Sequence, residues 1–153
     1  MAGTSEPAAT VFRYESKELT RRKDFQLLCR TDLLIGAVQT VGEGGETNLH
    51  MHRSLDGFWF VLRGQASFYT TDDELVATLG HFEGILVPRG YPYWFESTGD
   101  ENLEILQVEA SAKRGTAEGL VDDRVDLAPP HEDIESQRAE YAALLNSSGE
   151  VPK

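Results

Sequence analysis

Two histidines, His50 and His52, stand two residues apart in a segment of strand character, and they are the part of this sequence best suited to chemistry. Successive side chains of a strand point to opposite faces, so this spacing turns both imidazoles to one side. A pair of neutral imidazoles converging on one point is what a borderline divalent metal requires, whereas two solvent-facing histidines have no need of matched parity. Met51, between them, points the other way and is assigned to packing. The remaining histidines lack this arrangement. His81 follows Gly80 at a turn, His131 lies beside Pro130, and both are read as surface residues.

The elements that must hold this pair are short. From residue 25 to residue 110, apolar runs are punctuated by Gly, Pro, Asn and Asp, the pattern of an all-β domain. The runs predict strands over 25–30, 33–41, 47–52, 58–70, 75–79, 85–87, 93–96 and 103–109. Strands this short bury their apolar faces only in two packed sheets or a barrel, because isolated hairpins are marginal in water. Gln39 and Gln107 interrupt otherwise apolar strands; buried amides need partners, and these two either orient a polar group of a substrate or satisfy each other. Residues 1–24 read as a polar arm whose Val11, Phe12 and Tyr14 seek a partner, with a lone strand as one option. After Pro129 and Pro130, the residues Ile134, Arg138, Tyr141 and Leu145 recur at helical spacing and predict an α-helix over 134–145, with Asp133 as its N-cap. The organisation expected is therefore an arm over 1–24, a barrel over 25–112, and a linker with a C-terminal helix over 113–153.

Composition narrows the function classes. A chain of 153 residues is the size of one domain, and 26 acidic against 14 basic residues give a formal charge of -12. That charge repels phosphate backbones and anionic membranes, and the one basic run, Arg21, Arg22 and Lys23, is flanked by Glu18 and Asp24. Neither nucleic acid nor membrane is expected as a partner. A single cysteine, Cys29, excludes an intramolecular disulfide and a cysteine-rich zinc module, and is read as a small buried filler. The first ten residues lack the basic start and apolar run of a signal peptide, and no stretch reaches the roughly 18 apolar residues of a membrane span. A cytoplasmic location is expected.

Gly44, the His50-Met51-His52 triplet, Asp56-Gly57, and Gly64 closing the run from Phe58 to Arg63 resemble the first motif of the cupin superfamily. Its second motif is similar to Phe82-Glu83-Gly84-Ile85-Leu86-Val87-Pro88-Arg89-Gly90 followed by Tyr93, Phe95 and Ser97. The resemblance covers residues 33–109 and implies an RmlC-like jelly-roll barrel, or double-stranded β-helix. It also implies a divalent metal, Fe, Mn, Zn or Ni, on His50 and His52. Two ligand positions of the family pattern differ: Gly57 stands where a carboxylate is expected, with Asp56 one residue early, and Tyr93 stands at the third histidine. Asp56 completes a set of two histidines and one carboxylate only if the 54–56 turn or a bulge re-aims it. Tyr93 offers a proton donor or acceptor beside the metal. Taking parity from Gly57, the residues Trp59, Val61, Tyr93 and Phe95 face inward and wall a pocket suited to a planar or apolar small molecule.

The function these readings imply is the transformation of a small, partly apolar or aromatic metabolite by a metal-dependent cupin of isomerase, lyase, cyclase or dioxygenase type. In it Tyr93 or Asp56 moves a proton, and Gln39, Trp59, Phe95 and Gln107 contact substrate. A non-enzymatic small-molecule-binding cupin with a decayed metal site is the alternative, and a scaffold with a collapsed pocket a third reading. The outward residues Phe58, Phe60 and Leu62 give the sheet an apolar outer side, from which a homodimer is expected, the arm adding a strand to a sheet edge.

Overall fold

The computed structural model describes residues 6–116 and 120–129. Ten strands follow in order: β1 (Lys23–Arg30), β2 (Leu34–Val41), β3 (His50–His52), β4 (Leu55–Arg63), β5 (Ala66–Tyr69), β6 (Leu75–Leu79), β7 (Gly84–Val87), β8 (Trp94–Ser97), β9 (Leu103–Ser111) and β10 (Arg124–Asp126). Among the described residues the single helical turn is a 3-10 turn at Thr71–Asp73, and no helix is long and apolar enough to cross a membrane. The all-β expectation holds. The helix expected over 134–145, its cap Asp133, and His131 lie outside the described residues.

The run expected as one strand over 58–70 is two strands, because Gly64 adopts φ +82° and a side chain there would stand 2.8 Å from the Asn102 carbonyl oxygen. Only glycine turns the chain there without a clash, so β4 ends and β5 begins in another sheet. The strand expected over 47–52 shortens to β3, since Thr47 pairs instead with Phe95, its amide on the Phe95 carbonyl at 3.1 Å and its hydroxyl accepting the Phe95 amide at 3.0 Å.

Two layers result. The first is a five-stranded antiparallel sheet in the order β1-β2-β9-β4-β7. The second is assembled from the three-stranded sheet β6-β5-β8 and the two-stranded sheet β10-β3, joined where His50 and Tyr93 exchange backbone hydrogen bonds of 3.1 and 2.9 Å. Its order is then β10-β3-β8-β5-β6, and the two layers face each other as a jelly roll. Between them lie Phe68 and Ile105 together with Trp59, Val61, Tyr93 and Phe95, the last four on the inward parity read from the sequence. The Phe95 ring lies 4.9 Å from Trp59 and 5.0 Å from Phe68, and each such side chain contributes about 1.5–3 kcal/mol of burial. A second cluster gathers Leu27, Ile35, Leu55 and Leu120. Cys29 is half-buried rather than fully enclosed, its sulfur against Gly36. On the outer side of the five-stranded sheet Phe58 and Leu86 are 42% and 70% exposed, and Phe82 stacks on Phe60.

The segment expected as a linker folds back onto the barrel. β10 runs antiparallel to β3, with Arg124 opposite His52 and Asp126 opposite His50. Asn48 fastens it, donating to Asp126 at 3.0 Å and to the Ala128 carbonyl at 2.9 Å while accepting from Arg124 at 2.7 Å.

The arm contributes no strand: residues 6–22 are outside every sheet. Its anchor is the Tyr14 hydroxyl, which donates to the carboxylate of buried Glu104. Burial first, then that hydrogen bond and the negative charge of Glu104, push the Tyr14 phenol up to about 12. A folded-state value above the unfolded one near 10 means that the arm's attachment is fully present below pH ~10 and is lost as pH rises through 12. In an ultraviolet tyrosinate titration, Tyr14→Phe is expected to remove one late-ionising equivalent. Loss of an ordinary one near pH ~10 contradicts the anchor.

Candidate functional site

β3 carries His50 and His52 into the interior on one face, their ring centroids 5.1 Å apart and nearly perpendicular. Each ring spends Nδ1 on an acceptor. His50 Nδ1 lies 2.6 Å from the Asn48 carbonyl oxygen, and His52 Nδ1 lies 2.8 Å from the Asp122 carboxylate. A carbonyl or a carboxylate oxygen accepts, so Nδ1 of each ring donates and Nε2 is the nitrogen left open toward other partners. This orientation by a carbonyl or carboxylate partner is the one found behind metal-ligating histidines. Burial, followed by the positive charge of Arg124 and the neighbouring His52, holds His50 well below the usual histidine range and hence neutral.

Tyr93, on the strand-like link beside β8, packs its ring 4.4 Å from His50 and 6.3 Å from His52. Burial first, then the charge of Glu109, raises its phenol well above the usual range, so the hydroxyl keeps its proton. Glu109 itself comes from β9. Its side chain is buried, burial pushes its carboxyl up, and the neighbouring His52 draws it partly back. One carboxylate oxygen accepts from the Gln107 amide; the other, Oε2, has no hydrogen-bond partner.

His52, Gly57, Trp59, Tyr93 and Glu109, with Leu55, Val87, Pro88 and Tyr91, line a narrow pocket. It is narrow enough that its free room takes about one water. The donor types suit a divalent ion: the His52 imidazole and the Glu109 carboxylate, whose Oε2 has no hydrogen-bond partner, line one pocket, and the His50 ring stands 5.1 Å from that of His52. As they stand, among the described residues, no three of the His, Cys, Asp and Glu side chains close around one point.

The other residues singled out from sequence divide clearly. Trp59 lines the pocket, while Phe95 is fully enclosed in the core behind it. Gln39 and Gln107 stand outside the lining and pair in one direction, Gln39 donating to Gln107 at 2.6 Å while its own buried Oε1 has no hydrogen-bond partner. Asp56 is turned away from the histidines: β4 pairs with β9 without a register shift from Leu55 to Val61, so parity sends Asp56 outward. There its carboxylate accepts the Arg89 amide at 2.9 Å and lies 3.4 Å from the Arg89 guanidinium. His81 is exposed and stacked on Phe82. Sequence reasoning missed Glu109 and Asp122. Glu109 shares the parity of Gln107 two residues earlier, and that repeat of polar residues on an inward face was the available signal. Asp122 carries no local signal; only β10 pairing brings it to His52.

Comparison with known proteins agrees with this fold. Residues 37–109 match the family model described as the Cupin domain. No curated protein matches the chain. Among solved structures, KdgF from Halomonas sp. superposes with a TM-score of 0.59 at 11% identity, over 69% of this chain and 96% of that one. An uncharacterized conserved protein with a double-stranded β-helix domain from Klebsiella pneumoniae gives 0.57 at 17% identity, over 65% and 81%. An RmlC-like cupin family protein from Methanocaldococcus jannaschii gives 0.56 at 16% identity, over 67% and 91%. At these identities the likeness is one of fold.

The Asp122 contact makes a tautomer prediction. In the wild type, nitrogen NMR of His52 is expected to show Nδ1 protonated and Nε2 bare, and Asp122→Ala to move a sizeable fraction to the opposite tautomer while His50 is unchanged. An unaltered His52 spectrum in the variant contradicts the role given to Asp122.

Proposed function

Because the chain belongs, through residues 37–109, to the cupin superfamily, we propose that it holds a divalent metal, of the Fe, Mn, Zn or Ni class, through His50 Nε2 and His52 Nε2, and acts there on a small, partly apolar or aromatic metabolite. The observation that supports this reading is the double commitment of Nδ1, to Asn48 and to Asp122, which leaves Nε2 of each ring as the nitrogen open to a ligand. A bound ion would supply a Lewis acid for a substrate oxygen. The chain's own contributions are separate. Tyr93 Oη, kept protonated by burial, is the proton donor, and Trp59 and Tyr91 form the apolar wall that orients the substrate and excludes water. The narrow pocket suits an ion and the polar end of a metabolite, and a larger ligand needs its lining to move.

A metal-free binding cupin is the second reading, favoured by the lack of a closed three-donor cluster among the described residues. Calorimetric titration of tag-free protein with Zn²⁺ and Mn²⁺ separates them. Stoichiometric binding that weakens at least about tenfold in His50→Ala and in His52→Ala, but not in His81→Ala, is expected. Absence of metal binding, with a melting temperature raised by an apolar metabolite alone, favours the binder.

We further propose that the chain works as a homodimer across the outer face of the five-stranded sheet, where Phe58, Phe82 and Leu86 are exposed together. Light scattering at micromolar concentration is expected to return twice the 17.0 kDa chain mass, falling to one chain mass in Leu86→Lys. A monomeric wild type rejects this assembly.

A further inference from the structure

Glu109 has no task in the reading above, yet its surroundings are built for one. A buried carboxylate oxygen without a donor is uncommon in a folded protein, and Glu109 Oε2 is one. Its pocket is the one that His52 and Tyr93 line. Directly across the β4/β9 ladder stands Gly57. A Cβ on Gly57 would lie 3.2 Å from Glu109 Cγ, so the Glu109 stem runs through the room that any side chain at position 57 would need. The glycine and the glutamate therefore form a pair: absence of a side chain on β4 admits a carboxylate from β9.

We propose that Glu109 is the third protein donor of the metal site, reaching His50 and His52 from β9 through the gap left by Gly57. This inference rests on the metal reading of the two histidines. As the side chain stands, its carboxyl rests on Gln107 and the three donors do not close around a point, so ligation requires Glu109 to exchange that contact by a change of rotamer, with β9 unmoved. Gln107 remains held by Gln39 when the contact is given up. A carboxylate added to two imidazoles gives a three-donor set with open positions for substrate.

The test is calorimetric titration of the full chain with Mn²⁺ and with Zn²⁺, using wild type, Glu109→Gln, Glu109→Ala and the double variant Gly57→Glu with Glu109→Ala. Glu109→Gln keeps size and an acceptor for Gln107, and its melting temperature checks that the fold is retained. Affinity is expected to fall at least about tenfold in Glu109→Gln and Glu109→Ala and to recover in the double variant, where a carboxylate returns from the opposite strand into the vacated room. A role confined to packing would change the melting temperature and leave affinity alone. Wild-type affinity in Glu109→Gln, with binding still lost in His50→Ala, overturns this assignment and leaves the histidine pair standing. A wild type that binds neither ion overturns both.

Discussion

The second sheet of this barrel exists as one layer because the segment entering β3 pairs with the one entering β8, His50 with Tyr93 through their backbones and Thr47 with Phe95. Without these pairs, β3 with β10 and β8 with its partners are two fragments, and two short strands alone are marginal. Buried amides and carbonyls must be paired, so this bridge also fixes the depth at which the strand link crosses the barrel. The chemistry follows from the same pairing. Opposed residues of an antiparallel ladder present their side chains to the same face, and an imidazole is thereby laid against a phenol at 4.4 Å. The contact that closes the fold and the contact that defines the site are one.

What was legible in the sequence was parity. Period two sends His50 and His52 together into the interior, sets Trp59, Val61 and Phe95 in the core, and sends Phe58 outward, and each of these stands where that count puts it. The same count already placed Asp56 on the outer face; only an invoked bulge could have brought it back, and β4 is regular there. The carboxylate next to the histidines instead arrives on a neighbouring strand. Which residue of β9 opposes Gly57 is a matter of register across 51 intervening positions in the chain, and no local pattern encodes it. β10 was invisible for a related reason. Three residues, Arg124 to Asp126, two of them charged, show neither alternation nor an apolar run, and their partners are the side chain of Asn48 and the edge of β3.

The interior of the barrel also departs from an open apolar pocket. The inward rings fill one another's space, Phe68 and Trp59 on Phe95 and Tyr93 on Phe68, and leave only a narrow passage beside Glu109. Running along the inner face of the first sheet is a row of polar side chains, Gln39 to Gln107 to Glu109, each handing a hydrogen bond to the next. Burying such a row is costly unless its members are satisfied, and the row ends on an oxygen that is not.

The joining of β10 to β3 has a consequence for the order of events during folding. His52 and Asp122 are 70 residues apart in the chain, whereas the hairpin of β1 with β2 forms between neighbours. Contacts of long sequence separation bear a larger closure entropy and tend to come late. The aromatic core holds Trp59, Phe68 and Phe95 and takes nothing from the segment after β9, which instead adds Leu120 to the second cluster. The carboxylate that orients the His52 ring is therefore supplied by a segment that the aromatic core does not need, and it is long-range closure rather than the packing of the barrel that brings it into place.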